Sequence, residues 1–179
     1  MAYKKVEGYS DQKGSKYWGT GRIQKMIKEK DLKNERGALT LMSHIPPTVT
    51  SVLDLGCGIG RRHVHFPGLR YVGVDREEIM IENAKKIFPD LEFYLSDLMQ
   101  LTETLPNLKK SFDMAFTFHV VQYNHPIQQQ IIFNNIYEMI KPGGYYYMKE
   151  NDNDCPRESV PPCFKEVARG DHGHTIFKV

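Results

Sequence analysis

Three glycines at alternate positions, Gly56, Gly58 and Gly60, follow the apolar run Val52-Leu53-Asp54-Leu55. Without side chains the backbone can bend sharply out of a strand and let a bound molecule approach the main chain. The stretch therefore reads as a cofactor seat. A dinucleotide-binding turn needs Gly-x-Gly-x-x-Gly and a long helix whose positive end holds a pyrophosphate. Here the pattern is Gly-x-Gly-x-Gly, and after Arg61-Arg62-His63-Val64-His65-Phe66 any helix is stopped by Pro67 and Gly68. That leaves little aligned dipole for a doubly charged group, so the turn fits a cofactor with no phosphate.

Other chemistry-bearing residues recur at the ends of apolar runs. Tyr71-Val72-Gly73-Val74-Asp75 reads as a strand ending in a carboxylate 19 residues beyond Gly56. At that distance an acid can accept from both hydroxyls of a ribose. Leu91-Glu92-Phe93-Tyr94-Leu95-Ser96-Asp97-Leu98 offers a second strand-end carboxylate. Either aspartate could equally cap the helix that follows it. Phe112-Asp113-Met114-Ala115-Phe116-Thr117-Phe118-His119 suits a parallel strand covered on both faces. His119 at its end could act as a base near neutral pH, or be a structural histidine, and the hydroxyl of Tyr123 could orient an amine or hydroxyl. After Lys141-Pro142-Gly143-Gly144, a fifth run ends in Glu150, with Asn151 and Asp152 behind it. These residues read either as an acidic wall favouring a cationic amine or as a helix N-cap cluster.

From about residue 50 to residue 151 these segments, in this order, resemble the class I methyltransferases that use S-adenosylmethionine. The resemblance implies an α/β fold: a doubly wound, mostly parallel Rossmann-like sheet with helices on both faces, binding ligands beyond the carboxyl ends of its strands. It implies S-adenosylmethionine as cofactor, with Gly56, Gly58, Gly60 and Arg61 on the methionine portion, Asp75 on the ribose, Asp97 with Leu98 on the adenine, and Arg76 flanking the adenosine. His119, at the border of cofactor and acceptor, joins Tyr123 and Glu150 as the catalytic candidates. Near the amino end Tyr17, Trp18 and Arg22 could form a lid, the aromatics shielding the sulfonium and the arginine pairing the methionine carboxylate. Trp18 could equally be a core anchor.

A weaker similarity, in Lys16-Tyr17-Trp18, Leu53 to Arg61 and Lys141 to Asn151, is to the methyltransferases of protein N-terminal amines. Those enzymes carry a glutamine and a tryptophan where this chain has Phe118 and His119. The implied function is methyl transfer to an amine, hydroxyl or carboxyl group of a small molecule or protein. Two alternatives stand beside it: an inactive methyltransferase-like binding subunit, and a nucleotide-cofactor oxidoreductase, which the glycine spacing disfavours.

Alternating helices and strands must position these residues. Helices are expected over about Thr20 to Lys30 and Leu32 to His44, in an N-terminal arm or lid of residues 1–48 preceding a cofactor-binding domain of residues 49–179. Glu77 to Phe88 places Met80, Ala84, Ile87 and Phe88 on one face, with acids early and lysines late. Another helix runs from Pro126 to about Lys141 and is ended by Gly143. Only 29 residues follow Glu150, enough for a helix over Val160 to Ala168 and one strand over Thr175 to Val179. The family continues with a helix and two strands, so at least one strand is expected to be missing. The shortened C-terminal sheet edge would then be open, covered by the basic arm, or completed by a partner subunit.

Composition bounds the rest. At 179 residues and 40% hydrophobic content the chain is one domain with a real core. It has no apolar run of membrane-spanning length and no signal-like start, and reads as soluble and cytoplasmic. Three cysteines, one of them inside the glycine turn, do not suggest a disulfide framework. A net charge of +2 does not argue for nucleic acid. Residues 1–36 nevertheless hold ten basic against five acidic side chains, either a solvated face or a surface for an acidic partner. His172 and His174 with Cys155 and Cys163 lack a zinc spacing, so no metal is expected.

Overall fold

A computed structural model of the protein describes residues 45–170 and 174–179, together with Lys25. The expected N-terminal helices, Tyr17, Trp18, Arg22 and His172 lie outside the described residues.

The strands are β1 (Ser51–Leu55), β2 (Arg70–Asp75), β3 (Glu92–Leu95), β4 (Phe112–Phe118), β5 (Ile140–Lys149), β6 (Lys165–Arg169) and β7 (His174–Lys178). They form one seven-stranded sheet in the order β3-β2-β1-β4-β5-β7-β6. The first five pair in parallel, whereas β7 runs antiparallel to both β5 and β6. Because β2 and β4 flank β1, the chain reverses its winding direction there and leaves a crevice beyond the carboxyl ends of β1 and β4.

Every residue of β1 is buried, as the sequence Ser-Val-Leu-Asp-Leu requires of a central strand covered on both sides. Its one acid, Asp54, accepts a hydrogen bond from the Tyr71 hydroxyl on β2. Successive side chains point to opposite faces, so two cores form. Leu53 and Leu55 join Phe133 and Ile136 of helix α3 (Pro126–Met139), while Val52, Met114 and Phe116 join Ile81 and Ala84 of helix α1 (Glu78–Ile87). A short α2 (Leu101–Thr104) lies between them in the chain. At the amino edge of the sheet Asp113 accepts from the amides and hydroxyls of Thr50 and Ser51 and from the Lys141 ammonium at 2.7 Å. Partial burial would raise its carboxyl, but these bonds outweigh that and hold it well below the usual carboxylate range.

Three expectations are corrected. Helix α3 ends at Met139, two residues before Lys141, and Gly143 is not what stops it: Pro142 disfavours helical backbone at Lys141, and Ile140 turns extended to start β5. The Pro142-Gly143 stretch is instead an irregularity inside β5, where the pairing with β4 jumps between Phe112 and Met114. Residues Val160 to Ala168 are not a helix. Pro161 and Pro162 cannot continue one, and the strand β6 takes the residues after Phe164. The described residues therefore form seven strands, including the one expected to be missing, with a 3-10 turn, Arg157–Ser159, between β5 and β6. Among the described residues β6 is the last strand at this edge, Lys165, Glu166 and Arg169 are exposed on it, and its pairing slips between Glu166 and Ala168. Charge and irregularity of this kind discourage strand addition.

Candidate functional site

The glycine turn leaves β1 with three left-handed residues, Gly56 at φ 77°, Gly58 at 56° and Gly60 at 75°. Only glycine adopts this backbone without cost. A Cβ on Gly56 would lie 2.3 Å from Val120 Cγ2, and one on Gly60 would lie 2.5 Å from the Phe93 ring. At these two positions the protein itself, not a ligand, fills the space of the absent side chain. The amides of Gly56 and Cys57 donate to the Val74 carbonyl at 2.8 and 3.0 Å. The Gly58 amide donates to Asp75 Oδ2 at 2.8 Å, so the acid ending β2 holds the turn that ends β1.

Asp75 also caps the following segment, its Oδ1 accepting from the Glu77 amide at 2.9 Å. Burial pushes its carboxyl above the ordinary value, with the Glu77 and Gly58 amides pulling the other way. Each oxygen keeps a further lone pair, which fits a ribose diol. Asp97 caps too, its Oδ1 accepting from the Met99 amide at 2.9 Å, and Leu98 beside it is buried. Both readings of each aspartate are thus compatible: the cap uses one lone pair and orients the rest. Arg61 opens a 3-10 turn, Arg61–His65, that ends before Pro67 as expected. Arg76 sits at the surface with Nε 3.6 Å from Glu77 Oε1.

Across the crevice the segment after β4 is tied to the end of β5. His119 is exposed and left-handed, with φ 54°, a conformation that costs a non-glycine residue about 1–2 kcal/mol. Its amide donates to the Lys149 carbonyl at 2.8 Å, and its Nδ1 lies 3.0 Å from Gln122 Oε1. Gln122 Oε1 also accepts from the Asn151 amide at 2.7 Å. Tyr123 ends the same 3-10 turn (Val121–Tyr123) and is 48% exposed. Glu150 is only 1% exposed. Its Oε2 accepts from the amides of Val120 and Gln122 at 2.9 and 3.2 Å, while Oε1 has no hydrogen-bond partner among the described residues. Burial pushes its carboxyl up to about 7, with the Thr117 hydroxyl and the loop amides pulling down.

The acidic wall expected here does not form. Glu150 faces the interior, and Asp152 bonds the Arg157 guanidinium at 2.9 Å. Strand alternation instead puts the Lys149 side chain on the other face, its ammonium 5.9 Å from the Phe118 ring centroid, with Arg62 Cζ 4.2 Å from the same centroid. Sequence reasoning passed over Gln122, Val120, Phe93 and Lys149. For Gln122 helical spacing gave no signal, because His119 is a left-handed residue before the 3-10 turn (Val121–Tyr123) that contains Gln122.

A crevice at the reversal of a mostly parallel sheet, with a glycine turn and an acid on adjacent strand ends, is the nucleoside-cofactor site that a class I, S-adenosylmethionine-dependent methyltransferase requires. Residues 48–176 match the family model described as methyltransferase domain, and the chain belongs to that family. The family match removes the oxidoreductase alternative. The chain is 29% identical over 123 residues to the trans-aconitate 2-methyltransferase of Variovorax paradoxus, covering 66% of this chain and 45% of that one. It therefore spans less than half the length of that relative. Among solved structures, the PH0226 protein from Pyrococcus horikoshii OT3 superposes with a TM-score of 0.69 at 19% identity, over 92% of this chain and 98% of that one. The chain complexed with the Haloferax volcanii Trm112 methyltransferase activator, a candidate methyltransferase, superposes with a TM-score of 0.58 at 25% identity, over 79% and 63%. Among the described residues no helix is long and apolar enough to cross a membrane.

Proposed function

We propose that this protein is an active methyltransferase whose acceptor is a small, negatively charged molecule bound over the carboxyl ends of β4 and β5. S-Adenosylmethionine, when bound, supplies a methyl group already activated by its sulfonium. The chain's part is then to bind, orient and keep the acceptor unprotonated. Gly56, Gly58, Gly60 and Arg61 would hold the methionine portion, Asp75 the ribose, Asp97 and Leu98 the adenine, and Arg76 the rim. The observation carrying this assignment is the Gly58 amide on Asp75 Oδ2, which joins the turn and the acid into one cradle.

His119 takes the proton of a hydroxyl or amine acceptor; a carboxylate acceptor needs no base. Tyr123, beside it, orients the acceptor through its hydroxyl. Glu150 does neither directly, because its carboxyl is enclosed and holds the loop through Val120 and Gln122. Lys149 supports the anionic acceptor: its ammonium forms no ion pair with any described carboxylate and rests over Phe118. The relative named for trans-aconitate agrees with that choice. Calorimetric titration with S-adenosylmethionine and S-adenosylhomocysteine, followed by a turnover screen pairing each carboxylic acid with its amide, tests the reading. Preference for the acids, lost in Lys149→Gln, is the expected outcome; turnover only with cationic amines would overturn it.

A second reading, that the chain works with a partner subunit, has the Haloferax complex in its favour. The charges and irregularity of β6 make that strand a poor docking edge. Tight cofactor binding and turnover by the isolated chain would set this reading aside.

A further inference from the structure

We infer that Gln122 is a positioning residue: its side-chain oxygen fixes the His119 proton on Nδ1 and leaves Nε2 as the lone-pair nitrogen. The argument begins with the amide, whose oxygen and nitrogen ends are distinguished here by their partner. Gln122 Oε1 lies 2.7 Å from the Asn151 amide nitrogen. A backbone N–H can only donate, so the atom facing it must be the acceptor; the flipped amide would set two donors against each other. With that end fixed as oxygen, the ring nitrogen 3.0 Å away, His119 Nδ1, must carry the hydrogen. A neutral imidazole has one N–H, so Nε2, which bonds to no described residue, keeps its lone pair. A free neutral histidine favours the opposite tautomer. The protein therefore selects the less common form.

Neither partner of this bond can drift. Gln122 is buried, with its own amide on Glu150 Oε2 at 3.2 Å. His119 is fixed by its amide on the Lys149 carbonyl and by a left-handed backbone that the surroundings must enforce. Three consecutive residues closing β5, Lys149, Glu150 and Asn151, thus hold a histidine and the glutamine three residues after it. Of the ionisable groups nearby, Glu150 bonds the amides of the ring's loop, Tyr123 belongs to that loop, and Lys149 and Arg62 lie over Phe118 at the end of β4. None of them occupies the bond to Nδ1.

The inference deepens the proposal that His119 takes the acceptor's proton and rests on it for its function, but the tautomer can be read without any acceptor. The experiment is nitrogen NMR of the full chain with 15N-labelled histidine, at alkaline pH where the imidazole is neutral. His119→Asn identifies the signals. Wild type should show protonated Nδ1 and bare Nε2 at His119. Gln122→Leu should exchange the two patterns, and Gln122→Glu, which keeps an acceptor, should retain the wild-type one. Wild-type protein with its proton on Nε2, or a tautomer unchanged in Gln122→Leu, would overturn the inference; the first result needs no variant to fold. Full turnover by His119→Asn, with the tautomer as described, would instead sink the base assignment and leave the positioning intact.

Discussion

The two ends of the crevice are built in opposite ways. At the proposed cofactor end, β1, the glycine turn and β2 are one short stretch of chain, and the bonds run from turn amides to Val74 and Asp75. At the proposed acceptor end nothing is contiguous: Val120 and Gln122 hang from Glu150, 30 and 28 residues away. Backbone conformation shapes the first end, and one buried carboxyl with one buried amide shapes the second. They meet where Val120 fills the space above Gly56. The lesson is that a conformationally special motif can seat a cofactor, whereas the acceptor side depends on long-range side-chain-to-backbone bonds that a single substitution can release.

Breaking the meeting point should have the largest effect. Gly56→Ala combines a left-handed backbone, about 1–2 kcal/mol, with overpacking against Val120, about 1–3 kcal/mol. Denaturant unfolding should show about 2–5 kcal/mol lost, and S-adenosylhomocysteine binding should weaken with it. Adding Val120→Ala should restore the steric part only. A double variant as unstable as the single one would mean that the two ends do not touch in solution.

Glu150 separates the ends by pH. Its folded carboxyl is raised to about 7, so between the ordinary carboxylate range and about 7 the native state binds more protons than the unfolded one. Stability should fall as pH rises through that window, by on the order of 3 kcal/mol at most. Glu150→Gln keeps an acceptor for the loop amides and should flatten the slope in melting curves taken from pH 4 to 8. A slope unchanged in the variant would place its origin elsewhere.

Asp113, remote from both ends, has the opposite sign. Its folded carboxyl is depressed, so its contribution is present above the ordinary carboxylate range and lost as pH falls from that range through the lower folded value. Asp113→Ala should cost about 2–3 kcal/mol at neutral pH and leave S-adenosylhomocysteine affinity unchanged in calorimetry. A change in affinity would show that the sheet's amino edge is coupled to the crevice.

The smallest expected effect is at His119. His119→Gly should melt within about 0.5 kcal/mol of wild type, because relief of the left-handed backbone offsets the lost bond to Gln122. His119→Ala loses the bond without the relief and should be about 1 kcal/mol less stable. Equal stability of the two variants would mean that the backbone at His119 carries no strain.

The same contrast explains what is legible in the sequence. Gly56, Gly58, Gly60 and Asp75 announce themselves because residue type and spacing encode backbone geometry directly, and five strands and α1 follow from apolar runs between turn residues. The acceptor end is less legible because partners separated by a whole strand–helix unit leave no local pattern. Lys149 and Glu150 are adjacent, yet alternation along β5 sends one over Phe118 and the other inward. A shift of one residue would exchange them, so composition alone suggests an acidic wall where the facing charge is a lysine. The C-terminal strand β6 is hidden for a different reason. Its Lys-Glu-Val-Ala-Arg sequence lies on the sheet's edge and stays largely exposed, so it carries almost none of the apolar pattern that marks a strand.

The central claim, that the Gly58–Asp75 cradle binds S-adenosylmethionine, is tested most directly by calorimetric titration of S-adenosylhomocysteine into wild type and Asp75→Ala at a temperature where both are folded. The account expects one site in wild type and affinity about tenfold or more weaker in the variant, as loss of hydrogen bonds to a charged acceptor requires. Equal affinity in the two proteins, or no binding by wild type, would contradict it.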